Sequence, residues 1–80
     1  MVDVIFDPNF KRNVKKIRDQ AIKDKIKKQI QKIKESPETG KPMRYDRIET
    51  REVYIKPYRL SYKVENNIIY ILALYHKDKQ

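Results

Sequence analysis

Residues 58–75, with the sequence YRLSYKVENNIIYILALY, carry the pattern that decides the fold of this 80-residue chain. Apolar and polar side chains alternate over residues 58–64, which is typical of a strand with one buried face. Asn66-Asn67 then predicts a two-residue hairpin turn, because asparagine tolerates a positive φ. Residues 68–75 are apolar throughout, as in a central strand that is covered on both faces. This stretch therefore predicts an antiparallel hairpin inside a sheet.

Two helices are predicted ahead of the hairpin. The pair Asp7-Pro8 is a helix start, because aspartate caps free N–H groups and proline is tolerated in the first turn. Apolar residues then recur at helical spacing in two series that are out of phase, with Asp19 between them as a second N-cap. We expect helices over 8–18 and 20–35, folded as a hairpin. One long helix is the alternative, since no glycine or proline separates the two series.

The remaining segments complete an α+β fold. Residues 2–6 predict a short first strand and residues 51–56 another, which a turn at Pro57 joins to the central hairpin. Residues 43–50 carry no clear pattern. The predicted order is β-α-α-β-β-β, with the helical hairpin packed on one face of a mostly antiparallel sheet. Residues 1–80 are expected to form a single domain, because a chain this short supports one small core.

The chain is strongly basic. Lysine and arginine number 20 against 11 aspartates and glutamates, a formal net charge of +9. Such a charge attracts anions, so the candidate partners are nucleic acid, an anionic membrane surface or an acidic protein. A lysine-rich solvated surface is the alternative for individual lysines, but it does not explain the net excess. There is no cysteine for a disulfide or a thiolate metal site, and no segment resembles a signal peptide or a membrane span, so we expect a cytoplasmic protein.

The Asn66-Asn67 turn also predicts which strand residues share a face. A regular ladder from this turn pairs Arg59 with Leu74 and places His76 opposite Pro57. The face expected to be free of helices therefore carries Arg59, Ser61, Lys63, Tyr70, Leu72, Leu74 and His76, joined by Glu52 and Tyr54 from the preceding strand. The face expected to pack on the helices carries Val53, Ile55, Tyr58, Leu60, Tyr62, Val64, Ile69, Ile71 and Ala73.

The predicted helix-free face has residue types that suit single-stranded RNA, because aromatic rings stack on bases while arginine and lysine hold phosphates. Cleavage of RNA through its 2′-hydroxyl needs a base, cations and an acid. An arginine such as Arg59 can bind a phosphate bidentately, and histidine, the residue type of His76, is a common general acid or base. Each also has a plain interpretation, as an exposed strand arginine and a surface histidine, and Ser61 lacks an activating partner. Residue types alone therefore support RNA binding and leave catalysis open.

Three segments resemble the RelE/ParE superfamily of toxins from type II toxin–antitoxin systems. They are PETGKP at 37–42, REVYIKPYRLSY at 51–62 and IYILALYHKD at 69–78. The resemblance covers nearly the whole chain and implies the small RelE-like β-α-α-β-β-β fold. RelE-like members of the superfamily cut mRNA in the ribosomal A site, and ParE-like members inhibit DNA gyrase.

The resemblance implies a metal-independent endoribonuclease, an mRNA interferase that inhibits translation. Arg59 lies in the Tyr-Arg motif of the RNA-cutting branch, and Lys77 matches the basic residue after the last strand, beside His76; these three are the expected catalytic residues. The residues expected to bind nucleic acid are Lys41, Arg44, Arg47, Tyr54, Lys56, Lys63 and Lys79. The lysines that precede Tyr-Arg in some nucleases correspond to Thr50 and Glu52 here. A gyrase inhibitor and a non-catalytic RNA- or partner-binding domain of the same fold are the alternatives.

The partners that the resemblance implies are a cognate acidic antitoxin, similar to RelB, and mRNA in the ribosomal A site. Neither a metal, a cofactor, a small-molecule ligand nor a membrane is expected to take part. The antitoxin is expected to be largely unstructured alone and to fold around the toxin as an amphipathic helix or an added strand.

Overall fold

The computed structural model describes residues 3–37, 40–42 and 50–76. Its elements are β1 (Asp3–Phe6), α1 (Pro8–Lys15), α2 (Gln20–Glu35), β2 (Lys41–Pro42), β3 (Thr50–Ile55), β4 (Tyr58–Glu65) and β5 (Ile68–His76). The predicted α+β class and element order are confirmed, and β2 is an addition that the sequence pattern did not predict. No described helix is both long and apolar enough to cross a membrane.

Both predicted helix caps are present. The Asp7 carboxylate accepts a hydrogen bond of 2.8 Å from the backbone N–H of Asn9, and Asp19 accepts one of 2.9 Å from Ala21. Each cap satisfies a donor that the first helical turn leaves free. The interpretation as two helices is therefore confirmed and the single long helix is wrong, although α1 ends three residues earlier than predicted.

The sheet has the strand order β1-β5-β4-β3-β2. β1 runs parallel to β5, and the other three neighbouring pairs are antiparallel. Asn66 and Asn67 both have positive φ, 52° and 64°, and Glu65 pairs with Ile68. The predicted two-residue hairpin turn is confirmed. A second tight turn at Lys56-Pro57, which contains a cis peptide bond, joins β3 to β4.

The helices pack on one face of the sheet, and the core lies between them. Its buried residues are Phe10, Ile17, Ile26 and Ile33 from the helical region and Val53, Ile55, Leu60, Tyr62, Ile69, Ile71 and Leu74 from the sheet. Six of these seven sheet residues were predicted for the helix-packed face. Leu74 was predicted for the other face, and Val64, predicted for the core, is 37% exposed at the end of β4.

A β-bulge explains the misplacement of Leu74. The register shifts by one residue at Ser61/Tyr62, so Tyr62 pairs with Ile71 while Ser61 pairs with Ala73. Leu72 is the extra residue on β5, and every later β5 side chain changes face. The predicted pairs of Arg59 with Leu74 and of Pro57 with His76 are therefore wrong.

Beyond the bulge, β4 and β5 pair in a register that moves one predicted site residue, His76, and brings Tyr75 to Arg59. Leu60 pairs with Leu74, Arg59 with Tyr75, and Tyr58 with His76. Tyr75 therefore shares the helix-free face with Arg59, and His76 lies on the helix side beside Tyr58. The physical reason is that burying Leu74 removes more apolar surface from water than burying Ala73 would.

Candidate nucleic-acid interface on the helix-free face

Three side chains from three adjacent strands meet on the helix-free face, and we call them the Arg59 cluster. Glu52 of β3 forms an ion pair with Arg59 of β4 through its Oε1 atom. The other carboxylate oxygen of Glu52 accepts a hydrogen bond of 2.5 Å from the hydroxyl of Tyr75 on β5. The cluster thus joins a cation, a carboxylate and a phenol through a single acceptor.

The pleat and register of the sheet put these residues together. Arg59 pairs with Tyr54 on one side and with Tyr75 on the other, and paired residues share a face. Glu52 is two residues from Tyr54 along β3, so it lies diagonally across from Arg59, within reach of a long side chain. The predicted placement of Glu52, Tyr54 and Arg59 on the helix-free face is confirmed.

The cluster is accessible but not fully solvated. The Arg59 side chain is 32% exposed and the Glu52 side chain 17%. Arg59 Nε is buried and has no hydrogen-bond partner among the described residues. Glu52 therefore does not saturate the guanidinium, which has five N–H donors. Partial burial also strengthens the attraction between this cation and an arriving phosphate relative to open water.

Further cations and rings extend this face along the sheet. The ammonium of Lys63 lies 5.1 Å from the ring centroid of Tyr70, a cation–π contact, and 3.8 Å from the carboxylate of Glu65. Tyr54 is 51% exposed, and Lys56 is exposed at the turn before β4. Lys63, Tyr54 and Lys56 were all predicted to bind nucleic acid, and their positions leave that prediction standing.

His76 does not belong to the Arg59 cluster. Its ring makes an edge contact with the ring of Tyr58 at 5.7 Å between centroids. Both residues line a cleft beside Asn13 of α1 and Lys16, which directly follows that helix. The bulge at Leu72 gives the physical reason, because it rotates His76 to the helix side of the sheet. The prediction that His76 and Arg59 act on one face is therefore wrong.

Four residues predicted for the site, Arg44, Arg47, Lys77 and Lys79, lie outside the described residues. Lys41 belongs to β2, but its side chain also lies outside the described part of the chain. No described group of three or more histidines, aspartates or glutamates is arranged to hold a metal ion.

The residue that sequence reasoning missed is Tyr75. It was treated as part of a uniformly apolar strand, and the unrecognised bulge hid its pairing with Arg59. Glu52 was placed on the correct face but was noted only as a departure from the lysine found in some nucleases. A signal for their contact was present, because a carboxylate diagonally opposite an arginine on one sheet face is expected to pair with it.

A buried tyrosine holds Pro37 and Gly40, which precede β2 in the chain. The Tyr62 hydroxyl accepts a hydrogen bond of 2.8 Å from the Gly40 N–H and donates one of 2.8 Å to the Pro37 carbonyl. Arg51 donates a hydrogen bond of 2.7 Å to the Gly40 carbonyl. Burial raises the pKa of the Tyr62 phenol above its usual 10.0, and the Gly40 hydrogen bond and the Arg51 charge oppose this only in part.

Gly40 is required by this close packing. A Cβ atom built at this position would lie 2.8 Å from the Tyr62 hydroxyl and 2.9 Å from the backbone carbonyl oxygen of Glu52. Both distances are too short for non-bonded atoms, so any side chain here would push against the strand that carries Glu52. The only glycine in the chain therefore supports the position of the Arg59 cluster.

Comparison with known proteins supports a family assignment. The family model described as "ParE toxin of type II toxin-antitoxin system, parDE" matches residues 4–80. A search of the curated proteins finds no significant match.

Solved structures show the same fold. The Mycobacterium tuberculosis RelBE2 toxin–antitoxin complex matches with a TM-score of 0.79 and 22% identity, covering 95% of this chain and 98% of that one. The isolated E. coli RelE toxin matches with a TM-score of 0.81 and 17% identity, covering 100% and 88%. E. coli YafQ matches with a TM-score of 0.79 and 14% identity, covering 98% and 96%.

Proposed function

The chain belongs to the ParE toxin family of type II toxin–antitoxin systems, and from this premise we propose that it cleaves mRNA on the ribosome through the Arg59 cluster. The observation that carries the proposal is the meeting of Arg59, Glu52 and Tyr75 on the accessible face of the sheet. A guanidinium, a carboxylate and a phenol are three groups that cleavage through the 2′-hydroxyl can use as cation, base and acid.

In the proposed reaction, Arg59 turns from Glu52 to a non-bridging oxygen pair of the scissile phosphate, which its planar fork fits. The freed Glu52 carboxylate accepts the proton of the neighbouring 2′-hydroxyl. The 2′-oxygen then forms a bond to phosphorus, and the bond from phosphorus to the 5′-oxygen breaks. Tyr75, already hydrogen-bonded to Glu52, delivers a proton to the leaving 5′-oxygen. The products are a 2′,3′-cyclic phosphate and a 5′-hydroxyl, and Glu52 returns its proton to Tyr75.

The other predicted nucleic-acid contacts remain proposals around this centre. Lys77 follows β5 directly in sequence and is proposed to add positive charge near the scissile phosphate. Residues proposed to hold the flanking strand are Lys41, Arg44, Arg47, Tyr54, Lys56, Lys63 and Lys79. His76 is not assigned a step, because it lies on the helix side.

An antitoxin is the proposed protein partner. The RelBE2 structure contains a toxin together with its antitoxin, and the net charge of +9 favours an acidic partner. The exposed side chains of Ile5 and Phe6 on the edge strand β1 offer apolar surface that such a partner can cover.

The test is cleavage of a reporter mRNA with and without purified ribosomes, mapped by primer extension. We expect new 5′ ends only when ribosomes are present, and loss of cutting in the folded Arg59→Ala variant. Arg18→Ala is the matched control, because Arg18 is exposed in the connection between the helices and loses the same charge. An intact reporter after incubation with ribosomes and the wild-type protein would refute the proposal.

Inhibition of DNA gyrase is the second candidate, and two observations favour it. The matching family model is that of ParE, and Glu52 already neutralises the arginine that would bind phosphate. The decisive measurement is supercoiling of a relaxed plasmid by gyrase with the protein added. Blocked supercoiling together with uncut mRNA would select this candidate over RNA cleavage.

A further inference from the structure

A groove walled by lysines lies between α2 and β3, away from the Arg59 cluster. Lys25, Lys28 and Lys32 of α2 form one wall, and Lys56 of the β3–β4 turn lies on the other. We call this feature the lysine groove. Among the described residues that line it, none is acidic. A concave surface that carries one sign of charge concentrates counter-ions, so the lysine groove attracts anions.

The arrangement of the three α2 lysines is unfavourable without such an occupant. Residues 25, 28 and 32 follow the spacing i, i+3, i+7, which brings their side chains to one face of the helix. Like charges at this spacing repel, and Lys56 across the groove adds to the repulsion. An anion bound between them converts this repulsion into attraction.

Tyr54 connects the lysine groove to the Arg59 cluster. It pairs with Arg59 across β3 and β4, and it also lines the groove. β2 pairs with Glu52 and Arg51, which lie two and three residues before Tyr54 on β3. The half-exposed Tyr54 thus belongs both to the strand pair that carries Arg59 and to the lining of the groove.

One buried acceptor in the groove has no hydrogen-bond partner among the described residues. Gln29 Oε1 is buried without a hydrogen bond to any described residue, and Gln29 lines the groove between the lysines. A buried acceptor of this kind needs an N–H donor. The amino and imino edges of nucleobases supply N–H donors, and the lysine ammonium groups match phosphates.

We propose that the lysine groove is an extended RNA subsite, which holds the strand that continues from the Arg59 cluster across Tyr54. The α2 lysines and Lys56 bind successive phosphates, Tyr54 stacks on a base, and Gln29 accepts a hydrogen bond from a base edge. RNA fits better than an acidic polypeptide, because Tyr54, a half-exposed aromatic residue on which a base can stack, both pairs with Arg59 and lines the groove. The inference rests on the proposed function as an RNA-cleaving toxin.

The test compares two triple variants with the same change in charge. Lys25→Gln/Lys28→Gln/Lys32→Gln alters the groove, whereas Lys11→Gln/Lys27→Gln/Lys34→Gln alters exposed helical lysines outside its lining. The probe is a fluorescent single-stranded RNA of about 12 nucleotides with 2′-O-methyl groups, which lacks the attacking hydroxyl. We expect the groove variant to bind the RNA about tenfold more weakly or worse. The plot of log K against log salt should become less steep by about 2, because each of three lost phosphate contacts on a single strand contributes about 0.7 to the slope.

The outcomes separate this inference from the proposed function. Equal affinities and salt slopes for the two triple variants would overturn the groove subsite, while ribosome-dependent cutting by the wild-type protein would still stand. A wild-type protein that neither binds the RNA nor cuts on ribosomes would overturn both. A poly-glutamate peptide of about 20 residues is the competing probe; if only its binding falls in the groove variant, the occupant is an acidic polypeptide and the RNA subsite is wrong.

Discussion

Glu52 controls what Arg59 can bind. A carboxylate and a phosphate compete for the same guanidinium, so RNA must displace Glu52 from Arg59 before the phosphate is held. The proposed reaction uses this exchange, because a carboxylate that has lost its cation becomes a better proton acceptor. The Glu52–Arg59 ion pair is therefore expected to weaken RNA binding and also to promote RNA cleavage.

Glu52→Gln separates these two effects. Removing the negative charge frees Arg59 for phosphate, so we expect tighter binding of 2′-O-methyl RNA. Removing the base should slow cleavage on ribosomes by about 10²–10⁴-fold, the usual contribution of a general base. Glu35→Gln is the control, since Glu35 loses the same charge at an exposed position at the end of α2. If the two variants cut and bind alike, Glu52 is not the base.

Tyr62 makes the free energy of unfolding depend on pH above about pH 10. Its pKa is raised by burial in the folded protein and is near 10.0 in the unfolded chain. Above pH 10 the unfolded chain therefore loses this proton first, and the folded state binds more protons. The free energy of unfolding then falls as the pH rises from about 10 to the folded pKa, and the contribution is complete below about pH 10.

Tyr62→Phe is expected to change this profile in two ways. The variant should be less stable at neutral pH by about 1–3 kcal/mol, because the buried Gly40 N–H loses its acceptor. It should also lose less stability between about pH 9 and pH 11, because phenylalanine has no proton to release. Urea unfolding across that range measures both, with Tyr54→Phe on the exposed face as control. A variant whose alkaline loss equals that of the wild type would contradict the role of Tyr62.

Among the elements, β5 best shows what the sequence could predict. Its existence, its turn and its first pairings were predicted, because Asn66-Asn67 specifies a tight turn and residues 58–64 alternate clearly. The faces of its C-terminal residues were predicted wrongly, because residues 68–75 are all apolar and a strand without alternation gives no sign of a bulge. Arg59 was therefore placed correctly, while Tyr75 and His76 were exchanged. β2 was missed because two residues are too few for a pattern.

The open side of β5 depends on α1. β1 pairs with β5 only as far as Ile71, so the backbone beyond that residue has no neighbouring strand on this side among the described residues. The side chain of Asn13 fills the gap by accepting a hydrogen bond of 3.1 Å from the Leu74 N–H. One α1 side chain thus stabilises the half of β5 that carries Tyr75.

Asn13→Ala should lower the free energy of unfolding by about 1–3 kcal/mol, because it leaves the Leu74 N–H without its acceptor. Asn9→Ala on the same helix is the control and should change stability by about 0.5 kcal/mol or less, since Asn9 is exposed. Chemical denaturation of both variants gives the comparison. Equal losses would show that water replaces Asn13 at Leu74 and that β5 does not need this contact.

At the scale of the whole molecule, positive charge surrounds a small core. The core has residues from both helices and from the sheet, while the lysines lie outside it on α2, at the β3–β4 turn and on the helix-free face. RNA and an acidic antitoxin would therefore be attracted by the same field. An antitoxin that covers part of this charge lowers RNA affinity even where it does not touch the Arg59 cluster.

This charge predicts how the antitoxin binds. Association should be fast at low salt and should slow about tenfold or more between about 50 mM and 500 mM salt, because screening removes the long-range attraction. Dissociation should change little, since apolar contacts hold the finished complex. Stopped-flow mixing with the antitoxin recovered by co-expressing the adjacent reading frame measures both rates. The Lys11→Gln/Lys27→Gln/Lys34→Gln variant should associate more slowly at low salt and at the wild-type rate at high salt. An association rate that does not change with salt would mean that apolar contact, and not the net charge of +9, determines how fast the antitoxin associates.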